Sequence, residues 1–208
     1  MIEFDHVLVM VDDLGSAGVD FRHRYGLSSV EGGRHTGLGT GNRIVPLGRD
    51  YLELMAVVDP EEAAAGPLGP WVTALLSSSA LGALCLRTDD IDAVAARFGS
   101  PAVPMQRVRP DGVELAWRLA GLEQTLGDPS LPFFIKWDVP SEEMPGAAAV
   151  GHDVMPRGIR WVEICGDDAT LKERVGAALD IRAVDGPDPG VVAVGLALDE
   201  GELEIRSP

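Results

Sequence analysis

Val7-Leu8-Val9-Met10-Val11-Asp12-Asp13 is an apolar run that stops at a pair of aspartates, and the chain repeats this pattern. Ala83-Leu84-Cys85-Leu86 leads to Asp89-Asp90, and Val162-Glu163-Ile164-Cys165 leads to Asp167-Asp168. From Asp12 to Asp89 to Asp167 the steps are 77 and 78 residues. A period of that size marks a structural unit rather than a local motif. A helical stretch follows each pair: Leu14–Arg24, Ile91–Phe98 and Ala169–Leu179. Aspartate suits such a start, because its carboxylate accepts the free N–H groups of the first turn and faces the positive helix end.

Short apolar segments broken by Gly and Pro come next. They are Ser29-Val30, Ile44–Leu47 and Tyr51–Val58 in the first unit. In the second they are Val103–Val108, Val113–Leu119 and Pro132–Trp137, and in the third Ile181–Val184, Val191–Leu198 and Glu202–Ile205. Each unit reads strand, helix, strand, strand, strand. The pattern predicts an α+β fold of three βαβββ modules at residues 1–58, 80–138 and 158–207. The sheets should be curved, mainly antiparallel, and wrapped around a cavity. Residues 59–70, with three prolines, and 140–158 read as linkers.

The 208 residues are 46% hydrophobic, enough for a sizeable core. A formal charge of −16 argues against nucleic acid and anionic membrane as partners, since both need a basic footprint. Met1-Ile2-Glu3-Phe4-Asp5 lacks the basic start and long apolar stretch of a signal peptide. Cys85 and Cys165 form neither a disulfide framework nor a CxxC metal site, so a cytoplasmic, reducing location is expected. No nucleotide cofactor is expected either. Gly37–Gly41 lacks GxxxxGK[ST] and fails the GxGxxG pattern.

Strand alternation assigns faces. Val7, Val9 and Val11 suit the helix side, which leaves Phe4, His6, Leu8 and Met10 for the other. Likewise Leu52, Leu54, Ala56 and Val58 oppose Tyr51, Glu53, Met55 and Val57. His6 and Glu53 are therefore the polar residues on the two presumed cavity faces of the first module.

The opening Phe4-Asp5-His6-Val7, the stretch Gly32-Gly33-Arg34-His35-Thr36-Gly37-Leu38-Gly39-Thr40-Gly41-Asn42 and the strand Tyr51-Leu52-Glu53-Leu54 resemble the glyoxalase-like domain branch of the vicinal oxygen chelate superfamily. Residues 109–137 resemble its second unit. The resemblance implies a divalent metal held by side chains from the first and fourth strands of paired modules. His6 matches the first-strand ligand and Glu53 the fourth-strand ligand. The second module departs from the pattern, with Ala83 opposite His6 and Ile135 or Lys136 opposite Glu53. The third places Trp161 opposite His6 and Glu204 opposite Glu53. If modules one and three share the cavity, the metal set is His6, Glu53 and Glu204. If modules one and two share it, His6 and Glu53 remain.

Glu53 and His35 are the candidate proton carriers, His35 from a glycine-rich loop. Asn42, Arg109, Trp117 and Trp137 are candidates for binding a small molecule, Arg109 through an anionic group and the tryptophans as walls. Two functions follow from the resemblance. One is a metal-dependent lyase, isomerase or dioxygenase acting on a small oxygen-bearing molecule. The other is a binding protein that sequesters a small molecule without turnover. A homodimer is expected, because an odd number of modules leaves one face or edge without an internal partner.

Overall fold

The computed structural model describes residues 1–35, 37–78 and 81–207. Ala80, the expected first residue of the second module, lies outside the described residues. The first module consists of β1 (Ile2–Met10), α1 (Leu14–Tyr25), β2 (Val30–His35), β3 (Thr40–Pro46) and β4 (Tyr51–Val57). Two helices follow, α2 (Pro60–Ala63) and α3 (Leu68–Ser78). The second module is β5 (Leu81–Thr88), α4 (Ile91–Phe98), β6 (Val103–Val108), β7 (Glu114–Ala120), α5 (Leu122–Gly127) and β8 (Phe133–Trp137). The third is β9 (Pro156–Cys165), α6 (Asp168–Val175), β10 (Ile181–Val184), β11 (Gly190–Leu198) and β12 (Glu202–Arg206).

The aspartate pairs cap helices as the sequence predicts. Asp13 accepts from Ser16 N at 2.8 Å, Asp90 from Ala93 N at 3.0 Å and Asp167 from Thr170 N at 2.7 Å. Modules one and two share one eight-stranded sheet in the order β2-β3-β4-β1-β5-β8-β7-β6. In each, the first strand pairs in parallel with the fourth, and β1 and β5 join the modules antiparallel. The edge strands β2 and β6 touch, so the sheet curls nearly into a barrel.

The third module has the same chain order but different wiring. Its first strand, β9, pairs in parallel with β10 and antiparallel with β11, giving the order β10-β9-β11-β12. This four-stranded sheet packs on the convex side of the large one: β11 touches β5, and Val162, Ile164, Val194 and Leu196 share one core with Val7, Val9, Leu84 and Leu86. Helices α1 and α4 cover the same side, on β3–β4 and β7–β8. The odd module thus buries its apolar face inside the chain. Its outer strand β12 carries Glu202, Glu204 and Arg206, all exposed, a charged edge that resists strand addition. The reason for expecting a homodimer does not hold in this arrangement.

The concave side forms a second core around Leu8, Met10, Tyr51, Met55, Leu115 and Phe133. Phe4 is not in it. A register shift between Phe4 and His6 turns Phe4 to the helix side, where it packs with Val7 and Val9. A β-bulge adds one residue to one strand and reverses the alternation beyond it. Residues 59–70 also differ from the linker expected, since α2 and the start of α3 lie within them. Trp71, Val72 and Leu75 of α3 join the concave core and plug it on the β1–β4–β5 side. Among the described residues no helix is long and apolar enough to cross a membrane.

Candidate functional site

The concave side encloses a cavity of about 90 Å3. His6, Leu8, Tyr51, Glu53 and Met55 line it from β1 and β4, and His35 and Asn42 from β2 and β3. Met105, Arg107, Trp117, Leu119, Phe133, Ile135 and Trp137 line it from module two, with Leu68 and Leu122 at the helices. Modules one and two therefore share the cavity, and nothing from module three reaches it.

The register explains why His6 and Glu53 meet. Tyr51 lies opposite His6, and Glu53 opposite Leu8, in the parallel β1–β4 pair. All four side chains leave on one face. His6 Nε2 is 3.6 Å from Glu53 Oε2, and the residues are 4% and 6% exposed. The same register identifies their counterparts in module two. Cys85 there pairs with Phe133 as Leu8 pairs with Glu53, so Phe133, rather than Ile135 or Lys136, occupies the fourth-strand position. With Ala83 on the first strand, module two places no donor where module one has His6 and Glu53.

A hydrogen-bonded chain holds these groups. Asp5, fully buried, accepts from His6 Nδ1 at 2.7 Å, from Trp137 Nε1 at 2.9 Å and from Arg87 at 3.2 Å. In the neutral ring this fixes the proton on Nδ1 and leaves the Nε2 lone pair toward Glu53. The imidazole stacks on Tyr51, with ring centroids 4.6 Å apart. Glu53 Oε1 accepts from Asn42 Nδ2 at 2.7 Å, and Asn42 Oδ1 accepts from Arg107 Nη1 at 2.5 Å. His35 lies on the other side of Glu53, its Nε2 3.7 Å from Oε1 and 3.4 Å from Asn42 Nδ2, while Nδ1 meets Thr40 Oγ1 at 2.9 Å. Burial lowers the His35 pKa below its ordinary 6.5, against the pull of Glu53 and with the repulsion of Arg107 and His6. Burial likewise pushes the Tyr51 hydroxyl and the Cys85 thiol well above their usual values.

Two groups of donors are available to a metal. Ligand atoms of Asp5, His6 and Cys85 lie within 4.8 Å of one another. Asp5 is already committed to His6, Trp137 and Arg87, and the Cys85 thiol is held protonated by burial, so this group suits support better than ligation. His6 Nε2, His35 Nε2 and the Glu53 carboxylate make a second, wider group, with the Glu53 oxygens 3.6 and 3.7 Å from the two rings. Two imidazoles and one carboxylate suit a divalent transition ion, and each ring is anchored through its other nitrogen, the arrangement that orients metal-binding histidines.

Of the residues singled out in the sequence, His6, His35, Asn42, Glu53, Trp117 and Trp137 lie around this cavity. Arg109 does not. It pairs with Asp111 and faces an outer groove of about 310 Å3. Glu204 corrects the alternative metal set: on β12 it is exposed and bound to Arg206, because it alternates with the core residue Ile205 and so leaves from the outer face of the third sheet, away from the cavity. The sequence reading missed Asp5 and Arg107. The Asp-His dipeptide was a signal for the first. For the second it was the shared face of Met105 and Arg107, since Arg107 is the one buried residue of β6.

The glyoxalase-like domain profile matches residues 4–179. No curated protein matches the chain. Among solved structures, a hypothetical protein from Staphylococcus aureus is 20% identical with a TM-score of 0.62, over 99% of this chain and 86% of that one. A methylmalonyl-CoA epimerase in complex with methylmalonyl-CoA and NH4+ is 17% identical, with a TM-score of 0.48 over 67% of this chain and 96% of that one. The Mycobacterium tuberculosis methylmalonyl-CoA epimerase is 18% identical, with a TM-score of 0.46 over 66% and 89%. Likeness at such identities speaks for the fold alone. The profile match, which spans most of the chain and all of the cavity-lining residues, establishes that this protein belongs to the glyoxalase-like domain family of the vicinal oxygen chelate superfamily.

Proposed function

We propose that the chain is an enzyme that moves a proton on a small, oxygen-bearing organic molecule, in the manner of an isomerase or lyase. The observation that carries this reading is the placing of His6 and His35 on opposite oxygens of Glu53, at the polar end of an otherwise apolar cavity. A divalent ion held by His6, His35 and Glu53 would polarise the substrate oxygens as a Lewis acid. The chain's own residues do the rest. Asp5 orients His6, Thr40 orients His35, and Asn42 holds one oxygen of Glu53 so that the other stays toward His6. Glu53 accepts a proton from carbon through one oxygen and returns it to the substrate, while His35, kept neutral by burial, holds its Nε2 toward the carboxylate. Trp117, Trp137 and Phe133 exclude water and hold the apolar part of the molecule.

Module two favours a second reading. With Ala83 and Phe133 where a paired module would supply donors, the cavity would serve a small-molecule binding protein without turnover. One experiment separates the two. Protein purified without chelator is assayed for bound divalent metal, then incubated in D2O with small α-hydroxy and α-keto carbonyl compounds. Deuterium incorporation that disappears in Glu53→Gln supports the enzyme. Binding of these compounds without exchange sinks it in favour of the binding protein.

A further inference from the structure

We infer that the molecule taken by this cavity carries a carboxylate, and that Arg107 receives it. The inference rests on the reading of the cavity as a small-molecule site and adds the charge of its ligand. Among the described residues lining the cavity, Arg107 is the one permanent cation and Glu53 the one carboxylate. Arg107 is 6% exposed, yet its guanidinium forms no ion pair among the described residues. Its Nη1 donates to the neutral amide of Asn42, and its Nε is buried without a partner. A buried guanidinium held this way is costly unless an anion completes it.

The backbone makes room for it. A Cβ on Gly32 would stand 2.8 Å from Arg107 Nη1 and 2.1 Å from Asn42 Oδ1. Gly33, at φ +131, passes 3.4 Å from Arg107 Cδ by the same measure. The two glycines let edge strand β2 close on β6 with the arginine between them. Arg107 also lines the outer groove beside Val30, Glu31 and Arg109, so it stands between the cavity and the surface. In a chain of charge −16 the one guanidinium that lines the cavity is the feature that draws an anion inward. Glu53, reached from Arg107 through Asn42, disfavours a dianion such as phosphate and selects a monoanion. A carboxylate also matches the guanidinium fork, and the cavity of about 90 Å3 calls for a small one.

The test compares isobutyrate with isobutyramide, near-isosteres that differ in charge, by calorimetric titration with and without a chelator. Wild type should bind isobutyrate at least about tenfold more tightly in both conditions. Arg107→Met should bring the two probes to nearly equal affinity. Arg107→Lys should keep part of the preference, since it retains charge but not the fork. Equal binding of both probes by wild type overturns the inference and leaves the cavity reading standing. A preference that survives Arg107→Met but vanishes with chelator assigns the anion to a metal and also overturns it. Binding of neither probe to wild type removes both readings.

Discussion

Glu53 Oε2 stands 3.6 Å from His6 Nε2, although the two residues belong to the first and last strands of their module. The parallel pairing of β1 and β4 brings them together, and the fold thereby places its one cavity carboxylate beside its best-anchored imidazole. The consequences can be measured one residue at a time.

Metal retention should follow this pair and ignore module three. His6→Ala and Glu53→Gln should each reduce bound divalent metal by more than the roughly tenfold to hundredfold that loss of a ligand's outer partner costs, because each removes a ligand. Glu204→Ala should leave retention unchanged, because Glu204 is exposed on the far sheet. Elemental analysis of the three variants decides the point, and loss of metal in Glu204→Ala would contradict the assignment.

Asn42 separates a buried carboxylate from a buried guanidinium and bonds both. Asn42→Ala leaves both without that partner and should cost about 2–4 kcal/mol. Urea denaturation should show a lower midpoint with little change in slope. A cost under about 0.5 kcal/mol would mean that water or a side-chain shift replaces the amide.

Asp50 should make the protein less stable above neutral pH. Burial raises its pKa from 3.8 to about 6, and its Oδ1 has no partner while Oδ2 accepts from Ile159 N at 3.0 Å. Between these values the folded state holds more protons than the unfolded chain, so stability falls as pH rises through about 6. The full loss corresponds to about 3 kcal/mol. Asp50→Asn should melt higher than wild type at pH 7.5 and lose this slope between pH 4 and 6.

His35 acts in the opposite sense. Its pKa is lowered from 6.5, so the unfolded chain takes up protons first, and stability falls as pH drops below 6.5. In His35→Gln this acid-side loss should disappear, and the stability gap between wild type and variant should narrow from pH 7.5 to pH 5. Metal affinity should fall over the same direction of pH, since a protonated imidazole cannot ligate.

The sequence by itself determined what depends on neighbours along the chain. Asp13, Asp90 and Asp167 cap helices because an aspartate and the N–H three residues later meet in any helical start. Alternation placed His6 and Glu53 on cavity faces, and the short strand Tyr51–Val57 has no irregularity to disturb it. Only the tertiary structure decided what depends on pairing between distant segments. The bulge that turns Phe4 away from His6 exists in the register of β1 against β5. Phe133 rather than Ile135 occupies the counterpart position of Glu53 for the same reason. Glu204 looked equivalent to Glu53 by spacing, but the third module exchanges its strand partners and carries it to an outer edge. Arg107 lies in an edge strand with mostly exposed neighbours, and it becomes buried only where β2 and β6 close the sheet over it. Periodicity tells which face of its own strand a residue takes; strand order and register, set by burial over the whole chain, tell what that face meets.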